Sequence, residues 1–282
     1  MAQLVWLITG CSSGFGERLT LQVLSRGDLV IATGRNIDKL KHLEQSGAAI
    51  LKLDVTDTQQ SLNDTIAKAI SIYGRIDVVV NNAAYLTSVA WEDIEYDQLL
   101  AQFDTNVFGA YKVSRAVLSH LRQRRAGTMV FVGSMGGWHG HAFVGPYATS
   151  KFALEGLAES LSREIEVFGI KTLLIEPGRF QTMIHAPDNI QTIPSKIPDY
   201  MEASGELMAW IAREDRKQPG DTDKAVKIMV DLVRREGCAE GKDVPLRIPL
   251  GPDAHDIIRE KCEETLGILR EWDSVIKSTD RD

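Results

Sequence analysis

The chain has 282 residues, 44% of them hydrophobic and 25% charged, which is enough for one large α/β domain with a full core. Its formal charge of -7 gives a nucleic-acid role no general electrostatic support, and no apolar run approaches the ~20 residues of a membrane-spanning helix. Three scattered cysteines (Cys11, Cys238, Cys262) form no C-x-x-C pair and, as an odd number, no closed disulfide framework, so a reduced, cytoplasmic setting is expected. Met1 leads almost at once into apolar residues, leaving no room for a cationic leader segment.

Leu4 to Ile8 reads as a first strand, rich in apolar and β-branched residues. Thr9-Gly10-Cys11-Ser12-Ser13-Gly14-Phe15-Gly16 follows, and a helical pattern (Leu19, Val23, Leu24) opens directly after it. Strand, glycine turn and helix together suit a diphosphate: glycines admit close backbone approach, and the helix N-terminus offers free N–H groups and a positive dipole. The spacing is G-x-x-x-G-x-G rather than G-x-G-x-x-G. Leu29 to Ala32 predicts a second strand, ending at Thr33-Gly34-Arg35-Asn36. An NAD site places an acid about 20 residues beyond the glycine turn, for the ribose 2′-hydroxyl. Here that stretch holds no carboxylate but does hold Arg35, whose guanidinium suits a 2′-phosphate. NADP(H) is therefore favoured, with NAD(H) as the alternative if Arg35 only solvates its loop.

Ile37 to Gln45 looks helical, Ile50 to Leu53 is a short strand ending at Asp54-Val55, and Thr56-Asp57 caps a helix to about Tyr73. Ile76 to Val80 is a continuously apolar strand, as in a parallel sheet covered on both faces, and it ends in Asn81-Asn82-Ala83-Ala84. One long helix is expected from about Tyr96 to Arg124, with Asn106 in its middle, where an asparagine competes for backbone groups. Thr128 to Val132 is the next strand, closed by Gly133-Ser134. A glycine-punctuated loop follows, with Trp138, His139 and His141; neither carboxylate nor cysteine joins the histidines, so no metal site is expected.

Tyr147 opens a helix to about Phe168, and Lys151 lies one turn further on the same face. A free phenol titrates near ~10, and a cation beside it lowers that value. Lys171 to Ile175 is a further strand, ended by Glu176-Pro177-Gly178. From about 183 to 217 the chain is irregular, with Pro187, Pro194 and Pro198 among Met183, Ile190, Ile193, Met201, Leu207 and Trp210. Such a segment is expected either as an apolar substrate-side lid or as a helix pair closing the domain edge. Asp221-Thr222-Asp223 caps another helix, Val244 to Ile248 is the last strand, and Asp253 to Lys277 predicts an amphipathic helix burying Ile257, Ile258, Leu266, Leu269 and Trp272. The alternation argues one doubly wound parallel sheet over 1–282, Rossmann-type, with helices on both faces and a helical extension from about 250 to 282.

The ordered set Thr9-Gly10-x-x-x-Gly14-x-Gly16, Asp54, Asn81-Asn82-Ala83, Asn106, Ser134, Tyr147-x-x-x-Lys151 and Pro177-Gly178 resembles the short-chain dehydrogenase/reductase family, over nearly the whole chain and with Tyr147 13 residues after Ser134. The glycine turn and the extended C-terminus look most like the branch holding retinol- and steroid-type dehydrogenases. The resemblance implies that Gly10, Ser12, Ser13, Gly14, Phe15 and Gly16 hold the diphosphate, that Asp54 and Val55 frame the adenine, and that Asn82 and Ala83 lie beside its ribose. Tyr147 is then the general acid/base, Lys151 lowers its pKa and binds the nicotinamide ribose, Ser134 bonds the substrate oxygen, and Asn106 holds a water in a proton relay. Pro177, Gly178 and Thr182 pass the nicotinamide. Two departures stand out: Ala84 replaces the family's usual glycine, and Ser13 stands where NADP members often carry a basic residue, so a phosphate would rest mainly on Arg35. The implied activity is carbonyl/alcohol interconversion on a small, lipophilic molecule by a homodimer or homotetramer. The same fold also serves epimerisation or dehydration, or a non-catalytic scaffold. Trp138, His139, His141, Phe143, Arg179, Phe180, Met183 and Trp210 are the expected pocket walls.

Overall fold

The computed structural model describes residues 2–186 and 189–281. Pro187, within the expected lid, lies outside the described residues. Strand β1 (Val5–Ile8) feeds the glycine turn and α1 (Gly14–Ser25), and then β2 (Leu29–Gly34), α2 (Lys41–Gln45), β3 (Ala49–Lys52), α3 (Gln59–Tyr73) and β4 (Val78–Asn81) follow. A short β5 (Leu86–Ser88) leads to α4 (Tyr96–Phe103) and α5 (Ala110–Arg124), and β6 (Gly127–Val132), α6 (Gly145–Ile165) and β7 (Ile170–Pro177) complete the second half. The remainder is β8 (Ile190–Thr192), α7 (Pro198–Glu214), α8 (Thr222–Arg234), β9 (Arg247–Leu250), α9 (Pro252–Glu271) and α10 (Asp273–Lys277).

Seven strands form one parallel sheet in the order β3-β2-β1-β4-β6-β7-β9. The winding reverses between β1 and β4, so a crevice opens beyond their C-terminal ends, where ligands bind in such sheets. Alternate residues of β1 point to opposite faces. Trp6 and Ile8 pack with Leu19, Val23, Val226 and Met229 of α1 and α8; Val5 and Leu7 pack with Leu62, Val113, Val117 and Leu154 of α3, α5 and α6. This two-sided burial is why the central strands are apolar without alternation. At the opposite end of the sheet, buried Asp28 accepts hydrogen bonds from Leu4 N, Trp6 Nε1 and the Arg234 guanidinium, tying β1, β2 and α8 together.

Three sequence expectations change. The expected single helix from Tyr96 to Arg124 is interrupted by a π-helical turn at Asp104–Gly109, and Asn106 sits in it. A wider turn resolves the local conflict of a buried mid-helix asparagine, because its amide bonds outside its own helix. The last strand starts at Arg247 rather than Val244. It is an edge strand, which tolerates Pro249. The terminal helix is amphipathic as expected but leaves the body early. Ala254 is buried, whereas Leu266 (52%), Leu269 (49%) and Trp272 (51%) are exposed. Periodicity reports an apolar stripe; it does not report whether anything covers it.

Candidate active site

The glycine turn is held from below by side chains that the strands deliver. Thr9 Oγ1 accepts from Asn82 N (2.9 Å) and Ala83 N (3.1 Å), and Asn82 Nδ2 donates to the carbonyls of Thr9 (2.8 Å) and Gly10 (3.2 Å). Two glycines are needed for different reasons. Gly10 has φ +69°, a left-handed conformation, and a Cβ on it would lie 2.8 Å from Ala83 Cα. Gly16 lies inside α1, and its Cβ would lie 2.7 Å from Asn82 Nδ2. The first turn of α1 therefore sits directly on the turn, with its free N–H groups at the cleft. Cys11, between these glycines, is fully buried against Ile8 O (3.1 Å), and burial pushes its thiol up to about 12, so it is chemically quiet.

One cleft runs over this turn. Gly10, Ser12, Ser13, Gly14 and Phe15 line it with Arg35, Asp54, Val55, Asn82 and Ala83, and Ser134, Tyr147, Lys151, Pro177, Gly178 and Thr182 complete it. Of the expected catalytic and cofactor-binding residues, Gly16 and Asn106 lie behind that lining. Gly16 faces Gly10 O and Asn82. Asn106 clamps the chain instead: Oδ1 accepts from Tyr85 N (3.1 Å), and Nδ2 donates to Tyr85 O (3.0 Å) and to Ser150 Oγ (3.0 Å). It thus joins the π turn to α6, one residue before Lys151. A shallow set of shaped backbone, helix terminus and basic Arg35 fits a nicotinamide dinucleotide.

Helix α6 starts with Gly145 and Pro146, where proline's missing N–H costs nothing, and the Trp91 ring fills the space beside Gly145. Tyr147 is thereby fixed in the first turn. Lys151 is 2% exposed and donates from Nζ to Val132 O at 2.7 Å, with Nζ 5.6 Å from the Tyr147 ring centroid. Burial pulls the Lys151 ammonium down to about 8, partly offset by Glu155. Tyr147 is pushed above the ordinary phenol value by burial; a hydrogen bond with Ser134 pulls it down and Glu155 pushes it up. The Ser134 hydroxyl eases ionisation of the phenol, and burial opposes it. Ser134 Oγ also accepts from Gly136 N at 3.0 Å, which orients the hydroxyl toward the cleft side of its loop.

The expected pocket walls divide. Arg179, Phe180 and Met183 line the cleft. Trp138 lies under the Arg247 guanidinium (5.1 Å to the ring centroid), His139 and His141 contact each other at 4.6 Å, Phe143 meets Tyr200, and Trp210 lies under Arg179. The segment read as a lid contains β8, which pairs with β5, and α7; Met183, Ile184 and Asn189 reach the cleft from it. Residues missed from sequence include Tyr85, Leu86 and Thr105, which line the cleft. Tyr85 directly follows Asn81-Asn82-Ala83-Ala84, and that adjacency was the available signal.

A parallel sheet with a glycine cradle at its switch point, and with Ser, Tyr and Lys converging in the same cleft, defines an α/β protein of the dinucleotide-binding class. Residues 4–192 match the family model described as short chain dehydrogenase. The chain belongs to that family and is an oxidoreductase. It is 34% identical over 251 residues to the 3-ketodihydrosphingosine reductase of Bacteroides thetaiotaomicron, covering 87% of each chain. It is 32% identical over 246 residues to retinol dehydrogenase 8 of Homo sapiens, covering 81% of this chain and 78% of the relative. The crystal structure of a short-chain dehydrogenase from Streptomyces avermitilis superimposes with a TM-score of 0.88 at 34% identity, over 99% of both chains.

Proposed function

We propose that the chain is an NADP-dependent oxidoreductase that interconverts a carbonyl and an alcohol on a lipophilic small molecule, with Tyr147 as general acid/base. The observation that carries this reading is the Tyr147 phenol, in one cleft with Ser134 and the glycine cradle and backed by the buried Lys151. The nicotinamide, when bound, supplies or accepts the hydride. Gly10, Gly14 and Gly16 with the N-terminus of α1 hold the diphosphate, Arg35 takes the 2′-phosphate, and Asp54, Val55, Asn82 and Ala83 hold the adenosine. Pro177, Gly178 and Thr182 seat the nicotinamide ring.

Tyr147 O–H donates to the carbonyl oxygen and gives it a proton as negative charge develops there; in the oxidative direction the same oxygen takes the proton back. Ser134 donates a second hydrogen bond to that oxygen. Lys151, held in place by Val132 O, balances the charge left on the phenol, and Asn106 ties the π turn to Ser150, next to Lys151 on α6. Apolar Leu86, Phe180, Met183 and Ile184 on the cleft support a lipophilic substrate, as do relatives named for retinol and 3-ketodihydrosphingosine. The segment from 183 to 217 acts as the substrate-side cover. Exposed Phe108, Tyr111 and Phe152, on α5, α6 and the turn before α5, support a homodimer or homotetramer. No described helix is long and apolar enough to cross a membrane, and a cytoplasmic site of action is part of the proposal.

The cofactor assignment is tested by titrating NADPH and NADH into wild type and Arg35→Ala. Loss of a charge-assisted phosphate contact is worth about 1.5–3 kcal/mol, so NADPH binding weakens about 10- to 150-fold while NADH binding stays put. Equal losses for both, or none, overturn the assignment.

A further inference from the structure

Helix α6 carries a third polar group on the stripe that holds Tyr147 and Lys151. Glu155 lies one turn beyond Lys151, is 2% exposed, and points up beneath the loop that presents Ser134. Its Oε1 faces the backbone N–H of Ser134 at 3.5 Å. The loop is built around that carboxyl. A Cβ on Gly133 would lie 2.9 Å from Glu155 Oε1, and a Cβ on Gly137 would overlap the carboxyl outright. Two glycines thus flank Ser134 where Glu155 needs the space.

The other oxygen, Oε2, takes Arg247 Nη1 at 3.1 Å. The same guanidinium bonds Glu176 Oε1 at 2.8 Å and Glu159 Oε2 at 3.4 Å, and it lies over the Trp138 ring. Glu176 is 1% exposed and shares the Arg247 Nη1 group with Glu155. Two buried carboxyls against one guanidinium leave one negative charge too many, and the pair resolves this by keeping a proton. Burial and Glu176 hold Glu155 up, at about 8, while Arg247 and the Ser134 N–H pull it down. The charged and titratable groups around Glu155 are Tyr147, Lys151 and Glu159 on α6, Glu176 on β7 and Arg247 on β9.

We propose that Glu155 is a positioning residue for the reaction: its carboxyl, braced by Arg247 and shared with Glu176, fixes the backbone of Ser134 so that the serine hydroxyl meets the Tyr147 phenol. The inference rests on the proposed roles of Ser134 and Tyr147. It adds a charge consequence. Once Glu155 ionises, its negative charge opposes ionisation of Tyr147 and favours the protonated form of Lys151. Glu155→Ala leaves Arg247 paired with Glu176 and Glu159 while the support under Ser134 goes.

The test uses NADPH consumption with 2-decanone and with acetophenone, together with a substrate-free absorbance titration of tyrosinate, each variant read against Tyr147→Phe. Glu155→Ala and Gly137→Ala are expected to lower kcat about 10- to 100-fold while the KM for NADPH stays within about twofold, the signature of a misplaced reacting group. Glu155→Gln keeps an oxygen facing Ser134 and cannot ionise; it restores kcat to within about threefold and moves the Tyr147 titration to lower pH than in wild type. The inference is overturned if Glu155→Ala loses thermal stability but keeps kcat, or if the Glu155→Gln titration superimposes on wild type. A wild-type chain inert toward both ketones removes support from the proposed function, and the tyrosinate titration then still decides whether Glu155 acts on Tyr147.

Discussion

Replacing Gly16 by alanine tests whether the glycine cradle, rather than the turn's conformation, sets cofactor affinity. Gly16 does not have a positive φ, so alanine meets no backbone strain there. It meets only atoms: its Cβ would lie 2.7 Å from Asn82 Nδ2, about 0.7 Å inside the 3.4 Å at which ordinary contact begins, and closer still to Gly10 O. Asn82 cannot swing away without giving up its bonds to Thr9 O and Gly10 O. The turn must therefore move, at an overpacking cost of about 1–3 kcal/mol against a helix-propensity gain of at most ~1 kcal/mol. A net stability loss of about 1–2 kcal/mol and a 10- to 100-fold weaker NADPH complex are expected, since the displaced N–H groups face the diphosphate. Gly27→Ala is the control. Gly27 has φ +79° and open space around its Cβ, so alanine there costs about 1–2 kcal/mol of backbone strain and leaves NADPH affinity alone. Urea denaturation and NADPH fluorescence titration on both variants give the comparison. Wild-type affinity in Gly16→Ala, or an equal loss in Gly27→Ala, would refute the reasoning.

Two further outcomes follow from buried charge. Asp28→Ala leaves the Arg234 guanidinium, 9% exposed, with Glu236 as its one ion-pair partner among the described residues and strips Trp6 Nε1 of its acceptor; a loss of about 3–5 kcal/mol in urea denaturation is expected, with the cleft unaffected. Glu155 has its folded-state pKa raised from 4.5 to about 8, so the stability its proton contributes is full below 4.5 and is lost as pH rises through about 8. The difference in unfolding free energy between wild type and Glu155→Gln should therefore fall across that window, and a difference independent of pH would contradict the proton-sharing arrangement.

Most of the scaffold was legible because its signals are local. The run Leu4 to Ile8, the glycine turn and the pattern Leu19, Val23, Leu24 specify strand, turn and helix within a short stretch of chain, and the structure delivers them as β1 and α1. The convergence of Ser134, Tyr147 and Lys151 came from an ordered motif rather than from periodicity. What was not legible depends on partners distant in sequence. Arg247 meets Glu155 across 92 residues, and nothing in either neighbourhood marks the pair. Asn106 looked like a flaw in a long helix because a π turn has no simple residue signature, and its partners, Tyr85 and Ser150, come from other elements. The terminal helix misled in the opposite way: Leu266, Leu269 and Trp272 repeat as a core face would, yet each is about half exposed. Trp138, His139 and His141 are close to Ser134 in sequence, but the tight loop turns Trp138 toward Arg247 and sets the histidines against each other.

The central claim is that the Tyr147 hydroxyl carries the proton of the reaction. The most direct measurement is single-turnover NADPH oxidation with a lipophilic ketone, such as 2-decanone, by wild type and Tyr147→Phe, alongside NADPH affinity for each. General acid catalysis is worth about 10²- to 10⁴-fold, so Tyr147→Phe should keep NADPH affinity within about twofold and lose at least about a hundredfold in rate. A Tyr147→Phe protein that oxidises NADPH at the wild-type rate would contradict the account.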